Sequence, residues 1–172
     1  MAASKITHLI CYDDHRSFTE DVRQKFSDTS KYRVESFHTL QEFSDHLMKI
    51  ADRKSFRVAL IGVPDNTGQL ETIGKLISEI SSPEPDTGII LIAATERMEE
   101  IKKVIKFNID AYISKNSNSI LRIHNEVKKL ISEYNISVYR KRRNISLYIL
   151  LIYLIICVVA VIIAYFRPPW VS

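Results

Sequence analysis

Cysteine is scarce: Cys11 and Cys157 are the only two in 172 residues. One falls in a short strand-like run and the other inside a long apolar run, so a disulfide framework is excluded and both read as small apolar fillers. With four glycines and five prolines, the chain shows no internal repeat and no low-complexity segment. The histidines His15, His38 and His46 show no metal-ligand spacing, and no Ser/His/Asp or Cys/His grouping suggests nucleophilic catalysis. An enzyme is therefore not expected. The opening "MAASKITHLICYDD" has no long apolar stretch behind a basic start, so no signal peptide is expected.

One absence is of the opposite kind. From Ile145 to Phe166 there is no charge, no proline and no glycine, and a helix of that length spans about 30 Å, the hydrocarbon thickness of a bilayer. Arg140, Lys141, Arg142 and Arg143 stand immediately before this run and only Arg167 follows it. That bias sets topology, placing everything N-terminal on the cytoplasmic side of an inner membrane in a single-pass, tail-anchored arrangement. The net charge of +4 and a pI near 9.0 are explained by the same cluster, which meets anionic lipid headgroups, so nucleic acid is not an expected partner. The expected organisation is a cytoplasmic domain over 1–135, a basic juxtamembrane linker over 136–144, a transmembrane helix over 145–166 and a short extracytoplasmic tail over 167–172.

Within the first of these segments, short apolar β-branched runs at Ile6–Tyr12, Tyr32–Phe37, Arg57–Val63, Gly88–Ala93 and Ala111–Ser114 alternate with stretches of helical spacing. Phe18, Val22 and Phe26 mark the first helix. Thr39 with Glu42 forms a capping-box pair opening the second, whose apolar face carries Phe43, Leu47 and Ile50. Leu70, Ile73, Ile77 and Ile80 mark the third helix, Ile101, Val104 and Ile105 the fourth, and Ile120, Ile123, Val127, Leu130 and Ile131 a fifth ending near Tyr134. Five alternating β and α units predict a doubly wound parallel (βα)5 sheet of flavodoxin-like α/β class. Chemistry in such a sheet gathers at the carboxyl ends of the strands, here at Asp13, Asp14, Gly62, Ala93 and Lys115.

"HLICYDDHRSFTEDVRQKF" and "IILIAATERMEEIKKVIKFNIDAYISKN" resemble the receiver domain of two-component response regulators over about Ile6 to Tyr134. The resemblance implies that Asp13 and Asp14 match an acidic pair that holds Mg²⁺, that Lys115 matches a phosphate-pairing lysine, and that Tyr112 matches an aromatic switch position. It also implies an acceptor aspartate at the end of the third strand and a sensing hydroxyl at the end of the fourth. Gly62 and Ala93 stand at those two places, and Asn116 follows the lysine where the family has a cis-prolyl bond. These departures read as a pseudo-receiver without phosphoacceptor or sensor.

Each of these residues has a plainer reading. Asp13 and Asp14 are either a loop pair opening a helix, where acidic residues suit the positive end of the dipole, or a vestigial cation site. Short of a third carboxylate, they would bind Mg²⁺ weakly at best, and no other cofactor is expected. Lys115 reads as a structural ion-pair partner of the acidic couple in preference to a catalytic group. Asp65 is the nearest alternative acceptor. The expected function is a membrane-tethered, phosphorylation-independent interaction or regulatory module. The alternatives are an atypical regulator phosphorylated at Asp65 that signals to a membrane partner, and a subunit of a larger complex held by its transmembrane helix. Either way the expected partners are membrane lipid and protein, including another transmembrane protein.

Overall fold

Five short runs of four to seven residues, each carrying aliphatic or aromatic side chains, become strands. The computed structural model describes residues 6–50, 56–64, 70–81, 87–105 and 109–166. Strands β1 (Thr7–Tyr12), β2 (Tyr32–Phe37), β3 (Arg57–Gly62), β4 (Thr87–Ala93) and β5 (Ala111–Ser114) alternate with helices α1 (Arg16–Lys25), α2 (Leu40–Ile50), α3 (Leu70–Ser81), α4 (Met98–Val104) and α5 (Ser119–Phe166). All pairings are parallel and the strand order is β2-β1-β3-β4-β5. This is the doubly wound α/β class that the alternation predicts.

Every residue of β1 and β3 is buried, as befits central parallel strands covered on both faces. On one face Ile10, Tyr12, Ala59, Ile61, Leu91 and Ala93 pack with Phe43 and Leu47 of α2, Ile73 and Ile77 of α3, and Ile101 at α4. The alternate residues turn to the other face. There Leu130 of α5 lies so close to Gly88 that an added Cβ would come within 2.9 Å of its Cδ1, and Phe26 at the end of α1 meets the His124 ring at 5.4 Å.

The start of α2 is capped as its sequence predicts: the Glu42 backbone N–H donates to Thr39 Oγ1 at 3.3 Å. Val104, expected on the buried face of the fourth helix, is instead 51% exposed, while Ile101 and Ile105 carry the contact. The fifth helix does not end near Tyr134. It runs unbroken to Phe166, because no glycine or proline interrupts Ser119–Phe166 and nothing in the expected linker 136–144 breaks a helix. The chain divides into two compact units, Met1–Ser132 and Glu133–Ser172. Among the described residues, this one helix is long and apolar enough to cross a membrane.

Candidate functional site

The strand order reverses between β1 and β3, and their carboxyl ends carry the candidate site. Parallel register aligns Tyr12 with Ile61, which brings the next residues, Asp13 and Gly62, side by side. The β3–β4 register pairs Gly62 with Ile92, and β4–β5 pairs Ala93 with Ser114. The Lys115 backbone N–H then donates to the Ala93 carbonyl at 2.7 Å. Asp13, Gly62, Ala93 and Lys115 thus share one edge of the sheet.

Asp13 is wholly buried. Its Oδ1 accepts the His15 backbone N–H at 2.9 Å, a local turn that leads into α1 two residues before the His15 cap. Its Oδ2 lies 2.8 Å from Lys115 Nζ. The alignment is poor for a hydrogen bond, so the contact is best described as an ion pair. Burial pushes the Asp13 carboxyl above the usual carboxylate range, opposed by the Lys115 ammonium and the His15 N–H. The Asp13 carbonyl is 3.1 Å from His38 Nδ1.

Asp14 is exposed and more distant, its Oδ1 4.0 Å from Lys115 Nζ and 3.9 Å from His15 Nε2. The Lys115 ammonium also stands 5.6 Å from the centre of the Phe18 ring, within cation–π range. The two acids and the lysine therefore meet, with Asp13 as the close partner and Asp14 as a peripheral one.

Gly62 decides what this edge can do. A Cβ built there would lie 2.0 Å from Asp13 Oδ2, 2.7 Å from its Cγ and 3.0 Å from the Tyr12 carbonyl. The Asp13 carboxylate occupies the space into which any side chain at position 62 would grow. Ala93 is buried and offers no hydroxyl. Asp13 Oδ2 lies against the Lys115 ammonium, position 62 adds no carboxylate, and among the described residues no three His, Cys, Asp or Glu side chains cluster as metal ligands do. Asp65 lies outside the described residues.

Two further residues shape the edge. Tyr112 is half-buried against the core, and its hydroxyl donates to the Ile105 carbonyl at 3.3 Å, just past α4. Burial pushes its phenol up. Arg97, in the short 3-10 turn after β4, donates from Nη1 to the Pro64 carbonyl at 2.6 Å, tying the loop after β4 to the loop after β3. Residue spacing does not reveal this tie, since one partner is a backbone carbonyl. Arg140 and Arg143 are exposed along α5, and Lys141 and Arg142 lie between them on the helix.

No protein-family model matches the chain, and no curated protein matches it in sequence. Solved structures do. A response regulator from Thermotoga maritima superposes with a TM-score of 0.57 at 21% identity, over 74% of this chain and 98% of that one. The fold is that of a response-regulator receiver domain. A CheY-like receiver domain protein from Methanospirillum hungatei gives 0.51 at 21% identity, over 76% and 98%. The CheY-like protein tadZ from Pseudomonas aeruginosa gives 0.51 at 12%, over 73% and 98%. A receiver fold over three-quarters of the chain agrees with the five-strand parallel topology.

Proposed function

We propose that the chain is a membrane-tethered pseudo-receiver that works by binding protein partners at the inner membrane, and that it neither accepts nor transfers phosphate. One observation carries this reading: the Asp13 carboxylate fills the space beside Gly62 and is paired with Lys115. In a phosphorylating receiver, the new dianion draws Mg²⁺, a lysine and a hydroxyl together and so biases a two-state element. Here the lysine is already held by a resident carboxylate, and Ala93 has no hydroxyl to move. The Arg97 tie to Pro64 and the Tyr112 bond to Ile105 hold the neighbouring loops without a phosphoryl group. The surface around α4 and β5 is then constitutive, and a partner reads it continuously.

The tether rests on α5. Leu150, Leu151, Ile155 and Ile156 are each more than half exposed, whereas the core helix of a soluble domain would bury such residues. A bilayer is the medium that suits them. The basic residues 140–143 support a cytoplasmic side for the receiver fold.

The test is a phosphodonor assay. The full chain in detergent, incubated with acetyl phosphate and Mg²⁺, is expected to keep its mass. An acid-stable, base-labile adduct on any aspartate refutes phosphorylation independence. Its loss in Asp65→Ala would assign the alternative acceptor.

A further inference from the structure

The charges of α5 change character along its length. Upstream, Lys129 Nζ pairs with Glu126 Oε2 at 3.5 Å, one turn away. Glu133 is the last acidic residue: from Tyr134 to Ser172 the sequence holds no Asp or Glu. The four cations at 140–143 thus have no carboxylate at helical i±3 or i±4 spacing to neutralise them.

Their placement is equally distinctive. Consecutive positions on an α-helix step about 100° around the axis, so Arg140, Lys141, Arg142 and Arg143 are distributed around the whole circumference. A protein groove or a nucleic-acid backbone meets a helix from one side and selects a stripe of charge. A ring suits a medium that surrounds the helix equally in all directions. Along the axis the ring is only about 5 Å deep, close to the headgroup layer of one leaflet, about 5–7 Å. Two residues beyond Arg143 the uncharged run begins at Ile145. Tyr139 and Tyr148, 65% and 68% exposed, flank the ring as aromatic residues do at membrane interfaces.

We infer that residues 140–143 form a collar that selects anionic lipid headgroups, so that the anchor gathers anionic lipid around itself and does more than set topology. The inference rests on the membrane-spanning reading of α5. Each cation near an anionic surface strengthens association by about fivefold, so the collar as a whole has several hundredfold to distribute among the lipids in contact with it. The preference is electrostatic and weakens as salt shortens the Debye length from about 10 Å at 0.1 M to about 3 Å at 1 M.

The experiment uses the full chain reconstituted in phosphatidylcholine bilayers with a trace of spin-labelled phosphatidylglycerol or spin-labelled phosphatidylcholine. Electron paramagnetic resonance reads the fraction of each label immobilised at the protein. Orientation in the vesicle does not matter, since the collar reaches one interface either way. The expected result is a severalfold preference for phosphatidylglycerol at low salt that falls towards unity near 1 M NaCl. It should decline stepwise through Arg140→Gln and Arg140→Gln/Arg143→Gln and vanish when all four are Gln. Equal immobilisation of the two lipids, or a preference that survives the fourfold variant, overturns the collar. Displacement of labelled phosphatidylglycerol by single-stranded RNA at equal phosphate concentration assigns the cations to nucleic acid and also overturns it. A chain that alkaline carbonate strips from the vesicles overturns the collar together with the membrane-spanning reading. Insertion without lipid preference removes the collar alone.

Discussion

Replacing Gly62 with alanine adds one methyl group, and the geometry of the site sets its cost. The new Cβ would fall 2.0 Å from Asp13 Oδ2, far inside van der Waals contact. Gly62 has no positive φ, so the backbone accepts alanine and the cost is one of space alone. The Asp13 side chain is too short to bend aside and must rotate away. In doing so it gives up the Lys115 ammonium at 2.8 Å and the His15 N–H at 2.9 Å. Breaking a buried pair by removing one partner costs about 3–5 kcal/mol. Here Lys115 is 24% exposed and keeps Asp14 nearby, and rotation carries Asp13 towards water, so we expect about 2–3 kcal/mol. For a domain of this size each kcal/mol lowers Tm by a few degrees, giving a fall of roughly 6–12 °C.

Circular dichroism melts of the full chain in detergent measure this. The control is the same substitution beside Asp13→Ala. If the clash is with the Asp13 carboxylate, Gly62→Ala should cost little in that background, giving a coupling of about 2 kcal/mol in the double-mutant cycle. An unchanged melt for the single variant, or the same loss in both backgrounds, would refute the claim that Asp13 occupies the space beside Gly62.

Lys115→Met leaves the buried Asp13 charge without its cation and is expected to cost about 1–3 kcal/mol in denaturant melts. Because Asp13 already titrates above the usual range and loses an opposing cation in this variant, the deficit should grow as pH rises through that range and shrink on acidification; a pH-independent deficit would place the effect elsewhere. Asp28 behaves in the opposite sense. The Lys31 and Ser30 hydrogen bonds lower its pKa to about 2, so its contribution should be present above the ordinary carboxylate pKa and disappear as pH falls towards 2, which melts of Asp28→Asn against the parent chain will show. Truncation after Asn135 retains all of the compact unit that ends at Ser132 and removes the apolar run, so size-exclusion chromatography should find a soluble, folded monomer; an insoluble product would contradict that unit's independence.

The strands were legible because each apolar run is short and bounded by polar or turn residues, and the observed ends differ from the expected ones by at most one residue. The opening of α2 was legible for a chemical reason, since Thr39 with Glu42 admits few other readings. Val104 was misplaced because α4 has only two turns, too few for periodicity to separate a buried stripe from its neighbour. Thr19 was missed because a hydroxyl reads as exposed. It is buried at 2% and satisfied by donating to the Arg16 carbonyl at 2.9 Å. The length of α5 was missed because polarity suggested a linker over 136–144, although no residue there breaks a helix. At the site, residue types pointed to a lysine beside two acids. That Asp13 is the close partner and Asp14 the peripheral one depends on distances across strands, which spacing does not encode.

On the proposed pseudo-receiver reading, the occupation of the space beside Gly62 bears on how a receiver fold can persist with no carboxylate at the end of its third strand. Losing a side chain from a packed edge ordinarily leaves a cavity, at a cost that grows with its volume. At this edge the neighbouring Asp13 carboxylate takes up the space, and the ammonium of Lys115 compensates its charge. The lysine thereby keeps a carboxylate partner within 2.8 Å, and the carboxyl ends of β1 and β5 stay joined. A lone aspartate introduced at position 62 would collide with Asp13, compete with it for the same ammonium and find at Ala93 no hydroxyl to draw in. Recovering a phosphate-driven switch would require Asp13 to vacate its place, a hydroxyl to be installed at 93 and the Arg97 tie to Pro64 to become breakable, all together. Moving Asp13 or breaking the Arg97 tie removes a contact that now holds the edge, so on the proposed reading those two contacts oppose a stepwise gain of the switch.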